Sequence, residues 1–452
     1  MKRILLILAF LSPLTAALAQ VLTLDSCLAL ARRNNVEIRT SQMEVESAIE
    51  VKRQVFTKYF PQVNLAGIGY HSVKPLIHFS IEDIQSSDMR TLLQDIYDLV
   101  AETGSDVKKE VSLMRQGASG SVIVGQPIYA GGRIATGNKL AQLGVEAAEL
   151  QNDMKVRDVL ENIESTYYLV VGLQQKVATV SAALALIDSL DRTVQVALDN
   201  GLVTRADALQ LQLKRNEMLA NQQQLLSGIK LSRRLLCCQI GIEHHDDIVF
   251  GEQGLSSDES AIPLEKISSG AGSRPETRLL ELSVDAEKLS KRLTLGESLP
   301  QLTFIGSVYY GNMIKNDATA NAVALLSLSV PLTGWFETSH KLNQHNIRIA
   351  EASMKQEHLS RMMALEEEKS YSDMVDAWML LKSDSAALDV ARENYRLATL
   401  NYSAGVNTLS EVLQAHALML QAENAITDRR TTYVMARHRL LDLRQGRTGA
   451  GK

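Results

Sequence analysis

Apolar residues recur along this chain with two different periods, and the switch between them lays out its elements. Leu173, Val177, Val180, Leu184, Ile187, Val194 and Leu198 follow alternating four- and three-residue steps, with the polar Asp191 as the interruption. Met374, Ala377, Leu381, Leu388, Ala391, Tyr395, Ala398 and Tyr402 do the same, with Asp384 as the exception. Such spacing puts one apolar seam along a helix, as in a coiled coil, and alanine in the seam lets a second helix approach closely. No proline lies between Pro127 and Pro263 or after Pro331. Proline removes a backbone donor and clashes with the preceding turn, so both stretches are free to run as long helices. The pattern predicts helices over 133–199 and 336–403, each ~100 Å long at ~1.5 Å per residue. Gly201 and Gly405 stop them, and Thr204 and Thr408 start the next helices, over 205–241 and 409–445. A further helix over 24–58, stacked end to end with 205–241, would pair with one long helix along its whole length.

Elsewhere the period is two. Leu302, Phe304, Gly306, Val308 and Tyr310 alternate with Gln301, Thr303, Ser307 and Tyr309, Ile305 being the misfit. Ala322, Ala324, Leu326, Leu328 and Val330 share a face opposite Ser327 and Ser329. Strands are expected over 62–70, 118–127, 301–310 and 322–330. About ten residues each suits a tilted strand crossing a bilayer, where ~9–11 are needed. A soluble antiparallel sheet with one wet face shows the same alternation. Four strands cannot close a membrane barrel, and open edges are not tolerated in lipid, so insertion would demand an oligomer.

The chain repeats itself. Gly201-Leu202-Val203-Thr204-Arg205-Ala206-Asp207 resembles Gly405-Val406-Asn407-Thr408-Leu409-Ser410-Glu411 at an offset of 204, which Pro127 and Pro331 share. Phe60-Pro61-Gln62 resembles Leu299-Pro300-Gln301 at an offset of 239, so an insertion lies between His71 and Gly117. Within it Met89, Leu92, Ile96 and Leu99 have helical spacing and predict a short amphipathic helix. The expected organisation is a signal peptide over 1–19, repeat 1 over 20–242 with the insertion 71–117, a linker over 243–273, repeat 2 over 274–446 and a tail over 447–452.

Composition narrows the function. Lys2 and Arg3 precede an apolar run ending in Ala17-Leu18-Ala19, a secretion signal with its cleavage site. No later stretch is expected to be apolar enough for a membrane helix. The net charge of −5 argues against a nucleic-acid binder driven by a basic field, and the 5% aromatic share is low for a compact enzyme of this size. Three cysteines, Cys27, Cys237 and Cys238, are too few for a disulfide framework and are read as small buried residues. His244-His245-Asp246-Asp247 has no second ligand cluster and is read as a surface turn rather than a metal site. No P-loop, nucleophile elbow or supported pair of catalytic carboxylates is found, so no enzyme and no cofactor are expected.

These residues resemble the TolC family of outer-membrane factors. The likeness covers nearly the whole mature chain. It is carried by Leu22-Thr23-Leu24-Asp25 with Ala29-Leu30-Ala31 and Asn35, by Tyr59-Phe60-Pro61-Gln62, and by Gln126-Pro127-Ile128-Tyr129-Ala130-Gly131-Gly132-Arg133. Val330-Pro331-Leu332 and Asn401-Tyr402-Ser403-Ala404-Gly405 complete it. The resemblance implies a mainly α fold with membrane β: a TolC-like trimeric α/β-barrel with four transmembrane strands per chain, long coiled-coil helices and two internal repeats. It implies a homotrimer set in outer-membrane lipid, with most of its mass in the periplasm. Function would be passive export through a duct of a tripartite efflux or type I secretion system, alongside a periplasmic adaptor (membrane fusion) protein and an inner-membrane pump. Gly201, Leu202, Gly405 and Val406 would be the adaptor-docking tips. Asp207, Tyr402, Asn407, Glu411 and Gln414 match the periplasmic gate and selectivity positions. Asn407 stands where the family has a basic residue, and Gln414 where it has a second acidic one, so one carboxylate ring is expected rather than two. The competing readings are an exported coiled-coil structural or adhesin protein without a pore, and a periplasmic enzyme with helical arms.

Overall fold

The computed structural model describes residues 21–74, 77–102, 110–113, 116–201, 203–245, 248–251, 274–312 and 318–445. The expected signal peptide 1–19, Leu202, Asp246 and Asp247, most of the expected linker and the expected tail 447–452 lie outside the described residues. The chain forms two compact units: Met1–Ala48 with Val145–Val284 and Glu351–Lys452, and Ile49–Gly144 with Asp285–Ala350.

The first unit is helical. Helix α1 (Leu24–Asn34) is followed by α2 (Val36–Phe56), α4 (Arg133–Asp199), α5 (Arg205–Ile240), α6 (Pro275–Glu297), α7 (Gly334–Ser403) and α8 (Leu409–Gln445); α2, α4, α6 and α7 begin or end in the second unit. The seams are where the apolar period puts them. Val180, Leu184, Ile187 and Val194 of α4 are buried against Ala208 and Leu211 of α5 and Leu409 and Leu413 of α8. Met374, Ala377 and Leu381 of α7 are buried against Tyr433 and Leu440 of α8. The polar break at Asp384 is answered from α8, where Arg429 Nε lies 2.9 Å away. A third cluster gathers Ile163, Tyr167 and Tyr168 of α4, Leu236 and Ile240 of α5, Cys27 and Ala31 of α1, and Phe250. Phe250 belongs to β6 (Val249–Phe250), which pairs in parallel with β1 (Val21–Leu22).

Three expectations change. The single helix over 24–58 is broken at Asn35, which adopts φ −63° and ψ 130°. Its Nδ2 donates to the Gln239 carbonyl at 2.7 Å while its Oδ1 accepts from Ile38 N–H at 3.1 Å. The side chain thus ends one helix, caps the next and ties both to α5. Among the cysteines, Cys27 and Cys237 are buried but Cys238 is exposed, because adjacent helix positions face different sides. Lastly, by length and composition α4 is apolar enough to cross a membrane, yet 33% of its most apolar window is buried. That apolarity has a packing use, since α4 supplies two separate clusters.

The second unit holds a four-stranded antiparallel sheet of β2 (Gln62–His71), β5 (Gln116–Ala130), β7 (Gln301–Gly311) and β8 (Thr319–Ser329), in the order β2-β5-β7-β8. The two halves of the chain meet at the β5–β7 pairing, whose register slips between Pro127 and Tyr129. The insertion contains a hairpin of β3 (Ile77–Ser80) and β4 (Glu110–Leu113), with α3 (Ser87–Glu102) between them.

Candidate functional site

Two places concentrate residues with functional consequences, one in each unit. The first is the sheet. Its register puts Val63 and Leu65 of β2 beside Val124 and Val122 of β5, which face Gly306 and Val308 of β7, which in turn face Ala324 and Ala322 of β8. Phe304 pairs with Leu326, Leu302 with Leu328, and Tyr310 with Ala320. This face is apolar along its middle, with Gln126 at one end, whose Nε2 donates to the Tyr59 carbonyl at 3.2 Å, and His71 paired with Gln116 at the other. It is also open: Leu65 is 83% exposed and Leu326 64%. A contiguous apolar face of this kind marks a surface meant for a protein or a membrane.

The opposite face is mixed: it carries Gln62, Asn64, Ser119, Ser121, Ser307, Tyr309, Asn321, Ser327 and Ser329, but also Ile68, Ile123 and Val323. There Asn321 Nδ2 donates to Tyr309 Oη at 3.1 Å. The misfit Ile305 lies on this side opposite Leu325, so its alternation is broken by a small apolar patch rather than by a slip of register. Strands β2 and β8 end the sheet, and among the described residues the outer edge of neither is paired. Unpaired strand edges template pairing with another chain, and lipid does not satisfy them.

The second place is the pair of turns. Gly201 (φ 70°) and Gly405 (φ 73°) take the left-handed conformation that ends a helix. Val406 N–H donates to the Asn401 carbonyl at 2.8 Å and Asn407 N–H to the same oxygen at 3.3 Å. Each turn then starts its next helix with the same device. Thr204 Oγ1 accepts from Asp207 N–H at 3.2 Å, while Asp207 Oδ2 accepts from Thr204 N–H at 3.0 Å. In the second turn Thr408 Oγ1 accepts from Glu411 N–H at 3.4 Å, and Glu411 Oε2 accepts from Thr408 N–H at 2.8 Å. These are reciprocal capping boxes. The sequence signals Thr-x-x-Asp and Thr-x-x-Glu were present at the repeat offset, but only the threonines were read from them.

The turns come together through Gln210 Nε2 and Ser410 Oγ, 3.4 Å apart. Tyr402 is half-buried beside Ala398, Val412 and Ala415. Burial, and then the negative charge of Asp207, push its phenol above the usual range. No hydrogen bond joins Tyr402 to Asp207 among the described residues; Asp207 is engaged in its cap. Asn407 is half-buried, while Glu411, Gln414, Gly201, Gly405 and Val406 are exposed.

Sequence reasoning passed over His416. It is 1% exposed, its ring centroid lies 5.1 Å from that of Tyr395, and neither ring nitrogen has a hydrogen-bond partner among the described residues. Burial lowers its pKa from the ordinary 6.5, with Glu423 opposing and Lys214 adding to the shift. Elsewhere in the unit Arg157 Nη2 donates to Glu276 Oε1 at 2.5 Å. Burial alone would raise the Glu276 carboxyl, but this bond and charge hold it below the usual range. Glu164, 4% exposed, pairs with His438. Among the described residues no group of three His, Cys, Asp or Glu is placed to hold a metal ion.

Residues 267–443 match the family described as Outer membrane efflux protein. No curated protein matches the chain. Among solved structures it is similar to the outer membrane protein VceC from the bacterial pathogen Vibrio cholerae, at TM-score 0.71 and 14% identity, over 92% of this chain and 95% of that one. It is similar to the CmeC outer membrane channel of Campylobacter jejuni, at TM-score 0.73 and 13% identity, over 95% and 87%. It is also similar to the open state of the MtrE outer membrane channel of Neisseria gonorrhoeae, at TM-score 0.72 and 16% identity, over 93% and 88%. The fold is that of TolC-like outer-membrane channels, and the resemblance read from the residues stands.

Proposed function

We propose that this chain, with an outer membrane efflux protein domain and the fold of outer-membrane channels, forms one third of an export duct through the outer membrane. The observation that carries this reading is the sheet: one face largely apolar and exposed, the other holding the serines and amides among a few apolar residues, and both edges open among the described residues. Three copies joined edge to edge would give a closed barrel of about twelve strands with the apolar face toward lipid and the serines and amides toward water, within the range known for membrane barrels. The helices would continue the duct through the periplasm. Family and fold are those of channels, and transport through the duct is taken to be passive, driven by a partner pump in the inner membrane.

The gate and docking assignments belong to the same proposal. The exposed tips Gly201, Gly405 and Val406 would meet a periplasmic adaptor. Three copies of Glu411 would form one carboxylate ring favouring cations, with Gln414 and Asn407 uncharged beside it, and Tyr402 and Asp207 would steady the closed state. Reconstitution into planar bilayers tests the reading. A trimer giving discrete, cation-selective conductance supports it, and a water-soluble particle that does not conduct overturns it. Within a conducting channel, Glu411→Gln should shift the reversal potential in a salt gradient, and Tyr402→Phe should raise resting conductance. An unchanged reversal potential would remove Glu411 as the selectivity element.

A further inference from the structure

Strand β2 begins at Gln62, opposite Gly125, whereas β5 runs on to Ala130 and is paired there by β7 alone. Where β2 stops short there is a cavity of about 440 Å³, between the end of α2 and the first turns of α4. All the residues that line it belong to the second unit. The residues proposed for the gate and for docking belong to the first, so the cavity has no part in those roles.

Its lining is one-sided in charge: Lys58 and Arg133 are cationic and no lining residue is acidic. Lys58 has no partner among the described residues. Arg133 is half-buried and fastened. Its Nε donates to the Ala130 carbonyl at 3.3 Å and its Nη2 to Gln301 Oε1 at 3.1 Å. Those two bonds fix the plane of the guanidinium and leave Nη1 without a partner among the described residues. A prepositioned guanidinium beside an ammonium recognises a carboxylate or a phosphate through charge-assisted hydrogen bonds. Gln62 and Thr303 add polar groups, while Val55, Pro127 and Ile134 supply apolar wall. The volume falls within the ~300–1,000 Å³ of small-molecule sites and is more than a bare phosphate ion fills.

We infer that this cavity binds an organic anion, a carboxylate or phosphate group joined to an apolar body, and that anions of this class are among the solutes the duct carries. The second part rests on the duct proposed above. A lipid headgroup is the other source of such a charge, and the register of the sheet decides against it. Gln62, Gln301 and Thr303 stand on the face that carries the serines and amides, opposite the face of Leu65 and Leu326. In the duct that face meets water, so a lipid would have to leave the bilayer to reach the cavity.

Calorimetric titration of the full-length protein in mild detergent tests this, on a preparation whose conductance in planar bilayers has been recorded. The probe is 2-naphthyl phosphate, with inorganic phosphate and 2-naphthylmethylammonium for comparison. Naphthyl phosphate should bind once per chain, inorganic phosphate about tenfold more weakly, and the ammonium not at all. Lys58→Gln should weaken naphthyl phosphate about fivefold without moving the thermal melt, and Lys58→Arg should restore it. Equal binding by the parent and Lys58→Gln overturns the site, as does equal binding of the ammonium. Displacement of naphthyl phosphate by phosphatidylglycerol in nanodiscs makes this a headgroup site and overturns the solute assignment. Carbodiimide coupling of Lys58 to a carboxylate of another chain shows the cavity filled by a second copy, and the inference fails while the duct stands. A conducting preparation that binds no naphthyl phosphate has the same meaning. A preparation that binds it but does not conduct overturns the duct, and the cargo assignment with it.

Discussion

Helices α4 and α7 hold the same place in the two repeats, and at 67 and 70 residues they are nearly equal in length. Their surroundings differ. In α4 seventeen residues are buried, among them Ile163, Tyr167, Tyr168, Val171 and Ile187. In α7 only six are: Ser370, Met374, Ala377, Leu381, Leu388 and Ala398. The cause is neighbourhood. Clusters on both sides of α4 engage α5 and α8, whereas the buried positions of α7 engage α8. Met379, Leu380, Val390, Leu397 and Leu400 of α7 are left exposed. The strands that lead into these helices repeat the contrast, for β5 is central in its sheet and β8 is an edge. Duplication thus produced one long helix that completes a core and one with a largely open margin, while each half supplies one edge of the sheet. In the proposed duct that margin would be the part that meets another copy.

The most damaging way to probe this contrast is Ile163→Ala. A fully buried isoleucine cut to alanine costs about 2–5 kcal/mol, and thermal melts followed by circular dichroism should show a large fall in Tm. On the margin, Leu380→Asp should leave the chain's helicity and melt close to the parent while reducing the trimer fraction seen by light scattering. Equal unfolding by the two variants would break the comparison. For the sheet, Leu326→Arg on the apolar face should cost about 2–4 kcal/mol if that residue sits near mid-bilayer. Ser327→Arg on the other face should cost much less, and the yield of each protein in the outer-membrane fraction reads the difference.

Acid should act on the margin first. The folded pKa of His416 lies below its ordinary 6.5 because burial disfavours the charged ring. Above pH 6.5 the residue is neutral whether folded or unfolded and contributes no pH dependence. As pH falls below that value the unfolded chain binds the extra proton, and stability is lost until the folded pKa is reached. His416 packs on Tyr395 of α7, with Lys214 of α5 and Glu423 of α8 as the charged groups acting on it. Between pH 7 and 5 amide protection factors, taken against the intrinsic exchange rate at each pH, should therefore fall at the α7–α8 contact before α4–α5, and His416→Leu should remove that difference. Glu276 responds at lower pH. Its carboxyl is held below 4.5, so its stabilisation is present above that value and disappears as pH drops through the lowered pKa. The smallest effects lie at the caps. Glu411→Ala and Asp207→Ala should each cost about 1 kcal/mol in thermal melts, and Glu411→Gln almost nothing, since glutamine also completes a capping box.

The parts of the fold that were legible from sequence are those governed by local periodicity. The seams of α4 and α7 and the apolar face of β7 and β8 follow from spacing alone, because proline-free runs and two-residue alternation constrain the backbone locally. The break at Asn35 was not legible, since it depends on a carbonyl at Gln239, far away in sequence. Burial of His416 could have been found, for Leu409, Val412 and Leu413 precede it at the spacing of one helix face, but a histidine in that stripe does not read as apolar. The exposure of Cys238 was within reach, given that neighbouring helix residues cannot share a face. The capping role of Asp207 and Glu411 was written in the sequence but was masked by reading those acids only for their charge.

The central pairing of the sheet also dictates an order of assembly. Ser119 of β5 meets Gly311 of β7, so this ladder joins residues almost two hundred positions apart, while the capped turns at 200–204 and 404–408 join helices next to each other in the chain. Local hairpins form quickly and distant ladders slowly. The helices should therefore be built as the chain emerges, and the sheet should wait for the second half. Until then its apolar residues are dispersed on separate strands instead of gathered on one surface. For a chain bound for the proposed duct, that delay would keep it soluble on its way to the membrane, and aggregation would be most hazardous in the interval after β5 and β7 pair and before lipid is reached.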